Sequence, residues 1–107
     1  MAGRRREYRL QYDPRIKEHL KALTTAEQAA ALDVIENVIL PDPLRESRNQ
    51  FRMRPNRWAT WERRDGDLRI LYDILSDDEG EVVYVQVIGQ KARNVLMAGG
   101  EEIDTNA

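Results

Sequence analysis

The stretch from Arg45 to Arg69 is rich in arginine, the residue best suited to hold a phosphate group. It contains eight arginines and four acidic residues, so it carries four net positive charges, whereas the whole chain of 107 residues has a net charge of −2. The planar guanidinium group of arginine can hydrogen-bond two oxygens of one phosphate at once. The segment therefore predicts a local basic surface for nucleic acid, with a merely solvated charged face as the alternative.

Five side chains inside this segment are candidates for binding RNA: Arg52, Arg54, Arg57, Trp58 and Arg64. Arginine side chains hold the phosphate backbone without reading its sequence. An indole ring can stack on an unpaired base, and Trp58 could also fill a groove of a partner protein. The alternatives are that the arginines are only solvated and that Trp58 packs at the edge of the core.

A tight hairpin is predicted around Asp65-Gly66, a residue pair that favours a two-residue turn. With the turn at this pair, Glu62 on the incoming strand faces Arg69 on the outgoing strand. A carboxylate beside a guanidinium group could act as a general base next to a phosphate clamp. The alternative is an ordinary cross-strand ion pair.

The same register divides the hairpin, from Trp58 to Leu75, into two faces. The face that we expect to meet the core carries Ala59, Trp61, Leu68, Ile70, Tyr72 and Ile74. The other face is expected to be open and carries Trp58, Thr60, Glu62, Arg64, Arg69, Leu71 and Asp73. The proposed base and clamp therefore share the open face.

The first half of the chain predicts one strand and two helices. Alternation of apolar and polar residues over residues 8–12 predicts the strand, and Asp13-Pro14 predicts the start of a first helix that ends near Leu23. A second helix begins at the capping box of Thr24 and ends before Pro41. Its predicted apolar stripe consists of Ala29, Leu32, Ile35 and Ile39.

The second half ends in one more strand. The apolar run from Glu81 to Ile88 predicts a central strand that Gly89 ends, and Gln90 to Met97 is expected to form a short turn of helix. We expect an α+β fold in one domain over residues 1–107, with residues 1–6 and 99–107 as mobile tails. An N-terminal strand and a two-helix antiparallel hairpin precede a three-stranded antiparallel meander, and both helices cover one face of an antiparallel sheet.

The composition excludes several classes of protein. The chain has no cysteine, which excludes disulfides, thiolate nucleophiles and cysteine metal sites. It has no run of about 18 apolar residues and no export signal, so we expect a soluble cytoplasmic protein without a membrane partner. His19, the single histidine, is expected to be a surface or packing residue in the first helix, and no metal or other cofactor is expected.

The order of the elements and four short phrases resemble the RelE/ParE superfamily of type II toxins. The phrases are Tyr8-x-Leu-x-Tyr12, Leu68-Arg69-Ile-Leu-Tyr72, Val85-x-Val-Ile-Gly89-Gln-Lys91-x-Arg93 and Ala98-Gly-Gly100. The resemblance implies a toxin that a cognate antitoxin protein holds inactive. RelE-like members cut messenger RNA in the ribosome, whereas ParE-like members inhibit DNA gyrase without nuclease activity.

The resemblance also implies a catalytic set for RNA cleavage. Arg69 matches the family's arginine on this strand, and Lys91 and Arg93 match its basic pair after the last strand. Glu62 lies where RelE-like toxins project a catalytic group. The family's lysines are absent from residues 58–64, and Met97, which cannot donate a proton, holds the position of its late tyrosine. A ribosome-dependent mRNA endoribonuclease is the first hypothesis; the alternatives are a ParE-like gyrase inhibitor and a degenerate toxin that retains only antitoxin binding.

Overall fold

Seven strands and two helices form within residues 7–106, the part of the chain that the computed structural model describes. The predicted tail over residues 1–6 lies outside the described residues. In chain order the elements are β1 (Tyr8–Tyr12), α1 (Ile16–Lys21), α2 (Thr25–Val34) with a π-helical continuation (Ile35–Ile39), β2 (Gln50–Arg52), β3 (Trp61–Asp65), β4 (Leu68–Asp77), β5 (Gly80–Ala92), β6 (Val95–Ala98) and β7 (Glu101–Glu102).

The strands form one sheet in the order β2-β3-β4-β5-β6-β7, and β1 also pairs with β5. The α+β class, the position of β1 and the antiparallel meander of β3, β4 and β5 are confirmed. The wholly antiparallel sheet is wrong, because β1 runs parallel to β5, with Tyr8 opposite Glu81 and Tyr12 opposite Val85. The chain runs from β1 through both helices before it returns to the sheet. A connection of this length allows parallel pairing, whereas a tight hairpin joins only antiparallel strands.

Both helices pack on one face of the sheet. Their buried residues, together with Leu23 of the link between them, share a core with the sheet. The helical members are Ile16, Ala31, Val34, Ile35 and Ile39, and the strand members include Ile70, Tyr72, Val83, Val85 and Ile88. The capping box is confirmed, because Thr24 accepts from the Glu27 N–H and the Glu27 carboxylate accepts from the Thr24 N–H. The predicted stripe is partly wrong: Ala29 is exposed and Ala31 is buried in its place. The π-helical segment after α2 has a wider turn than an α-helix. Ile35 and Ile39, which are four residues apart, are both buried on its core side.

The opposite face of the sheet is not open along its whole length. A second buried cluster covers part of it and consists of Ala59, Leu71, Val87, Leu96, Ala98 and Ile103, with Met53 and Trp58 against it. Ala59 was predicted on the helix side and lies here instead, because the chain enters β3 only at Trp61. We call this side of the sheet the second face.

The C-terminal region extends the sheet, contrary to two predictions. β5 continues through Gly89 to Ala92, and a turn at Arg93 and Asn94, both with positive φ, leads into β6 instead of a helix. A Cβ atom at Gly89 would overlap the backbone oxygen of Met97, so glycine here permits close approach of β6. Residues 99–106 are not a loose tail: β7 pairs with β6, and Ile103 is buried and donates its N–H to Leu96 O at 2.8 Å.

Candidate functional site

The β3–β4 hairpin brings Glu62 and Arg69 together, although in a different register from the prediction. The turn residues are Gly66 and Asp67, so Glu62 is opposite Leu71 and Arg69 is opposite Arg64. Moving the turn by one residue changes each cross-strand partner by two positions, and the side-chain period of a strand is also two. Both side chains therefore stay on the second face, as diagonal neighbours.

Glu62 and two arginines form the most enclosed charged cluster on this face. The Glu62 Oε2 atom accepts from Arg64 Nε at 2.7 Å and lies 3.5 Å from Arg69 Nε. Only 12% of the Glu62 side chain and 13% of the Arg69 side chain are exposed, against 44% for Arg64. The cluster thus contains an accessible cation at its rim and a shielded carboxylate-guanidinium pair beneath it.

Backbone contacts hold the Arg69 guanidinium group in place. Its Nη1 atom donates to Gly66 O at 2.6 Å and to Leu68 O at 2.9 Å. The Arg69 Nε atom is buried and has no hydrogen-bond partner among the described residues. A guanidinium group fixed in this way, with its Nε atom 3.5 Å from Glu62, is suited to stabilise an anion that reaches its other N–H groups.

Lys91 and Arg93 lie on and beyond the neighbouring strand. Arg69 is opposite Gly89, and Lys91 follows two residues later on the same face, where its N–H donates to Asp67 O at 2.8 Å. Arg93 is exposed in the β5–β6 turn, with φ 52°. The sheet therefore brings Lys91 to the side of Arg69, whereas Arg93 lies at the end of the strand.

Met97 is directed away from this cluster. It pairs with Gln90 across β5 and β6. The Gln90 side chain hydrogen-bonds to the Glu27 carboxylate at the start of α2, so this pair faces the helices. A side chain at position 97 therefore does not reach the second face beside Arg69.

Arg54, Arg57 and Trp58 belong to a loop over residues 53–60, which we call the arginine loop, and Arg52 is the last residue of β2 before it. Asn56 organises it: its Oδ1 atom accepts from the N–H groups of Trp58 (2.8 Å) and Ala59 (3.1 Å). Its Nδ2 atom donates to the backbone oxygens of Arg54 (2.8 Å) and Ala59 (3.0 Å). One amide side chain thus satisfies four backbone groups of its own loop, which defines the loop's shape without regular secondary structure.

The arginine loop is also attached to the sheet. Met53 N donates to Thr60 O at 2.7 Å, and Thr60 N donates to the Asp73 carboxylate at 2.8 Å. Asp73 also accepts from Gln86, an extra residue that a bulge in β5 leaves unpaired between Val85 and Val87. Bulges often redirect a side chain in this way.

A cleft of about 600 Å³ lies between the arginine loop and the sheet. Arg54, Arg57 and Trp58 line it, with Asp73 and Gln86 on the sheet side. Arg52 lines it as well, but its guanidinium group lies over the Trp61 ring at 5.5 Å, and Trp61 belongs to the core on the helix side. The guanidinium group of Arg52 is therefore directed away from those of Arg54 and Arg57.

Trp58 is half-buried and packs against the second cluster. The guanidinium groups of Arg57 and Arg15 lie 4.8 and 5.3 Å from the centre of its ring, and its Nε1 atom donates to Asp104 O at 3.2 Å. Packing at the edge of the core, one of the three interpretations of Trp58, is the arrangement found.

His19 is a packing residue, as one of the expectations had it. It is buried, and its Nδ1 atom accepts from the Ile88 N–H at 3.2 Å. β1 leaves the edge of β5 after Val85, and β6 pairs with that edge only from Gln90. The imidazole thus satisfies a backbone donor in the gap, and burial, helped by the positive charge of Arg15, lowers the pKa of His19.

Sequence reasoning missed Asn56, Asp73 and Gln86 as parts of the site. Gln86 is the one polar residue in the run Val85-Gln86-Val87-Ile88, and that interruption was the available signal. Within residues 7–106, no group of three or more histidine or acidic side chains could hold a metal ion. In the same part of the chain, no helix is long and apolar enough to cross a membrane.

No family model and no curated protein matches the sequence. Among solved structures, the chain is similar to a chain of the toxin-antitoxin complex RelBE2 from Mycobacterium tuberculosis, with 22% identity and a TM-score of 0.64. The similarity covers 79% of this chain and 99% of that chain. The fold is RelE-like. In this fold the second face carries the Glu62 cluster and the arginine loop. Glu62 and Arg69 thus lie on the face of the sheet that was predicted for them.

Proposed function

We propose that this protein is the toxin of a type II toxin-antitoxin pair and that it cleaves messenger RNA on the ribosome, in the cytoplasm, without a metal. The observation that carries the proposal is the Arg69 guanidinium group, which two backbone oxygens hold in place and whose Nε atom lies 3.5 Å from the Glu62 carboxylate. The RelE-like fold, shared with a chain of a toxin-antitoxin complex, supports both the toxin role and a cognate antitoxin as partner.

In the proposed reaction Glu62 takes the proton of a ribose 2′-hydroxyl group, and the 2′ oxygen attacks the adjacent phosphorus. The bond from phosphorus to the 5′ oxygen breaks, which leaves a cyclic phosphate on one fragment and a 5′-hydroxyl on the other. Arg69 stabilises the negative charge that grows on the phosphate oxygens. Lys91 donates the proton to the leaving oxygen, a role that Met97 cannot take, and Arg93 holds the message beyond the cleaved bond.

The RNA approaches over the rim of the second face. Arg64 is the exposed member of the Glu62 cluster, and it must exchange its contact with Glu62 for one with the substrate. Arg54 and Arg57 in the arginine loop hold the phosphate backbone farther along. Trp58 supports Arg57 through the contact with its ring.

Gyrase inhibition stays the alternative hypothesis, in which the Glu62 cluster would serve only as a structural ion pair. A carboxylate with 12% exposure that already pairs with two arginines is arranged as a structural ion pair would be. Inhibition of gyrase by binding alone would need no general base.

Controlled expression separates these functions. The 5′ ends of translated messages and the supercoiling of a reporter plasmid are measured in the same cells after induction. New 5′-hydroxyl ends inside translated codons, with supercoiling unchanged, are expected for the nuclease. Intact messages with a loss of negative supercoiling would instead identify gyrase as the target. Full cleavage by Glu62→Gln would remove Glu62 as the base and leave the rest of the proposal standing.

A further inference from the structure

Arg63 is an unexplained charge on the helix side of the sheet. It alternates with Glu62 and Arg64 along β3, so it lies on the face opposite the Arg69 cluster, beside Ile70. Its Nε atom is buried and has no hydrogen-bond partner among the described residues. Buried polar atoms are nearly always paired, and a buried guanidinium donor without a partner is costly to keep.

A cavity of about 320 Å³ adjoins Arg63. A second arginine, Arg45, lines it together with one acid, Asp42, so its charged lining is net positive. Asp42 forms no ion pair with either arginine, although all three residues belong to the described part of the chain. The cavity therefore offers two cations to an incoming anion.

The wall of this cavity is held rigidly in place. The buried Gln50 amide donates to Asp42 O at 2.9 Å and to Arg45 O at 3.0 Å. The Tyr72 hydroxyl group, which is also buried, donates to Pro43 O at 2.6 Å. Side chains of the sheet thus hold the segment after α2, and a binding site that is already formed loses less entropy when a ligand binds.

Exposed apolar side chains flank the two arginines. Val38, in the lining, is 37% exposed, and Leu44, next to Arg45 in the chain, is 41% exposed. A free phosphate would make no use of them. An acidic side chain on a peptide with an apolar neighbour would contact both the cations and the apolar rim.

We propose that this cavity binds a glutamate or aspartate side chain of the antitoxin, whose carboxylate pairs with Arg63 and Arg45 while an adjacent apolar residue of the antitoxin lies on Val38 and Leu44. The identity of the partner rests on the proposed toxin function; the carboxylate site does not. Because Arg63 and Arg69 are on opposite faces, this contact anchors the antitoxin away from the proposed RNA surface.

The site itself is tested by NMR on the isolated protein, through the side-chain Nε–H signal of Arg63. The probes are N-acetyl-leucyl-glutamate amide, the same peptide with glutamine, and inorganic phosphate. A saturable shift of the Arg63 signal with the glutamate peptide, absent with the glutamine peptide, is the expected result. No shift with the glutamate peptide, or an equal shift with phosphate, would overturn the proposal. Arg63→Lys assigns the signal and shows whether the chain still folds without the guanidinium group.

The partner is tested with the product of any small open reading frame that is found beside the gene. Arg63→Gln is expected to weaken its binding by about 30-fold or more, because one side of a buried charge pair is lost. Arg48→Gln is the matched control, since Arg48 is exposed and lies outside the cavity lining. Equal affinities of the two variants would overturn the inference. If the wild-type chain neither arrests growth nor binds that product, the toxin function fails, and the NMR titration still decides whether the carboxylate site exists.

Discussion

At the scale of single residues, Arg69 combines two tasks in one guanidinium group. Its Nη1 atom bridges two backbone oxygens of the hairpin turn, and its Nε side faces Glu62. The first task is structural and the second is the one that proposed catalysis needs. A lysine could retain the charge but not the planar geometry that serves both.

We therefore expect Arg69→Ala to lower the rate of message cleavage by about 10²–10³-fold, since it removes a preorganised charge donor. Arg69→Lys should recover little of that rate. Primer extension on ribosome-bound message measures both variants, and thermal unfolding checks that each is folded. Arg48→Ala is the control, because it removes an exposed arginine outside the cluster. Wild-type cleavage by Arg69→Ala would refute the proposed clamp.

His19 provides a second prediction at this scale, concerning stability and pH. Its Nδ1 atom accepts a backbone N–H, so the folded state needs the neutral imidazole, and burial lowers its pKa below the ordinary value of about 6.5. Between the two pKa values the unfolded chain binds more protons, so the His19 contribution to the free energy of unfolding is complete above pH 6.5 and is lost as the pH falls.

Replacing His19 with glutamine removes this titration while keeping a possible acceptor. The free energy of unfolding, measured by urea denaturation from pH 7.5 to pH 5, should fall less steeply for His19→Gln than for the wild type. Nearby charges on Arg15, Asp13 and Glu101 also act on His19. They are present in both proteins and largely cancel in the comparison. Parallel pH profiles would show that His19 does not contribute.

At the scale of elements, two features that depend on residues close together in the sequence were predicted correctly. The Thr24 capping box and the alternation in β1 depend on residues within a few positions of each other, and both are confirmed. The hairpin turn lies one residue later than predicted. Each residue of β3 and β4 nevertheless keeps its predicted face, because its cross-strand partner changes by two positions. Most of the helix side of the core was therefore predictable from the sequence, but Ala29 and Ala59 were assigned to it and lie elsewhere.

Elements that depend on distant contacts were not predictable in this way. Gly89 suggests the end of a strand when its neighbours in sequence are considered alone. Its actual role is to leave room for the backbone of Met97 in β6. Similarly, Ile103 stands among acidic residues and predicts nothing by itself, but it completes the second cluster together with Leu71 and Leu96.

The arginine loop depends on one side chain, which makes it testable as an element. Asn56→Ala should expose the N–H groups of Trp58 and Ala59 and lower the free energy of unfolding by roughly 1–3 kcal/mol. Hydrogen exchange of these two amides should accelerate. Asn56→Asp is the matched variant: its carboxylate can still accept from both N–H groups but cannot donate to the two backbone oxygens, so its effect should be smaller. Unchanged exchange in Asn56→Ala would mean that other contacts hold the loop.

At the scale of the whole molecule, charges that are separate in the sequence meet in space. Residues 45–69 carry the excess of arginine, and the C-terminal residues carry acids. The fold brings Glu101, Glu102 and Asp104 to a cavity that Arg57 also lines. The basic surface is therefore narrower than the sequence implies, because these acids lie near Arg57, although none of them forms an ion pair with it in the described part of the chain.

This distribution predicts how RNA binding depends on salt. Each phosphate contact to a single strand releases counterions and contributes about 0.7 to the slope of log affinity against log salt concentration. Removing Arg54 and Arg57 together, as Arg54→Gln with Arg57→Gln, should reduce that slope by about 1.4 if both contact phosphates. Arg52→Gln should change it little, because the guanidinium group of Arg52 lies over Trp61 on the helix side. Fluorescence anisotropy with a labelled single-stranded oligoribonucleotide at several salt concentrations measures the slopes, with Arg48→Gln as the control. An equal reduction by Arg52→Gln would mean that its side chain leaves Trp61 to reach the RNA, and an unchanged slope in the double variant would leave the arginine loop as a solvated surface with no part in RNA binding.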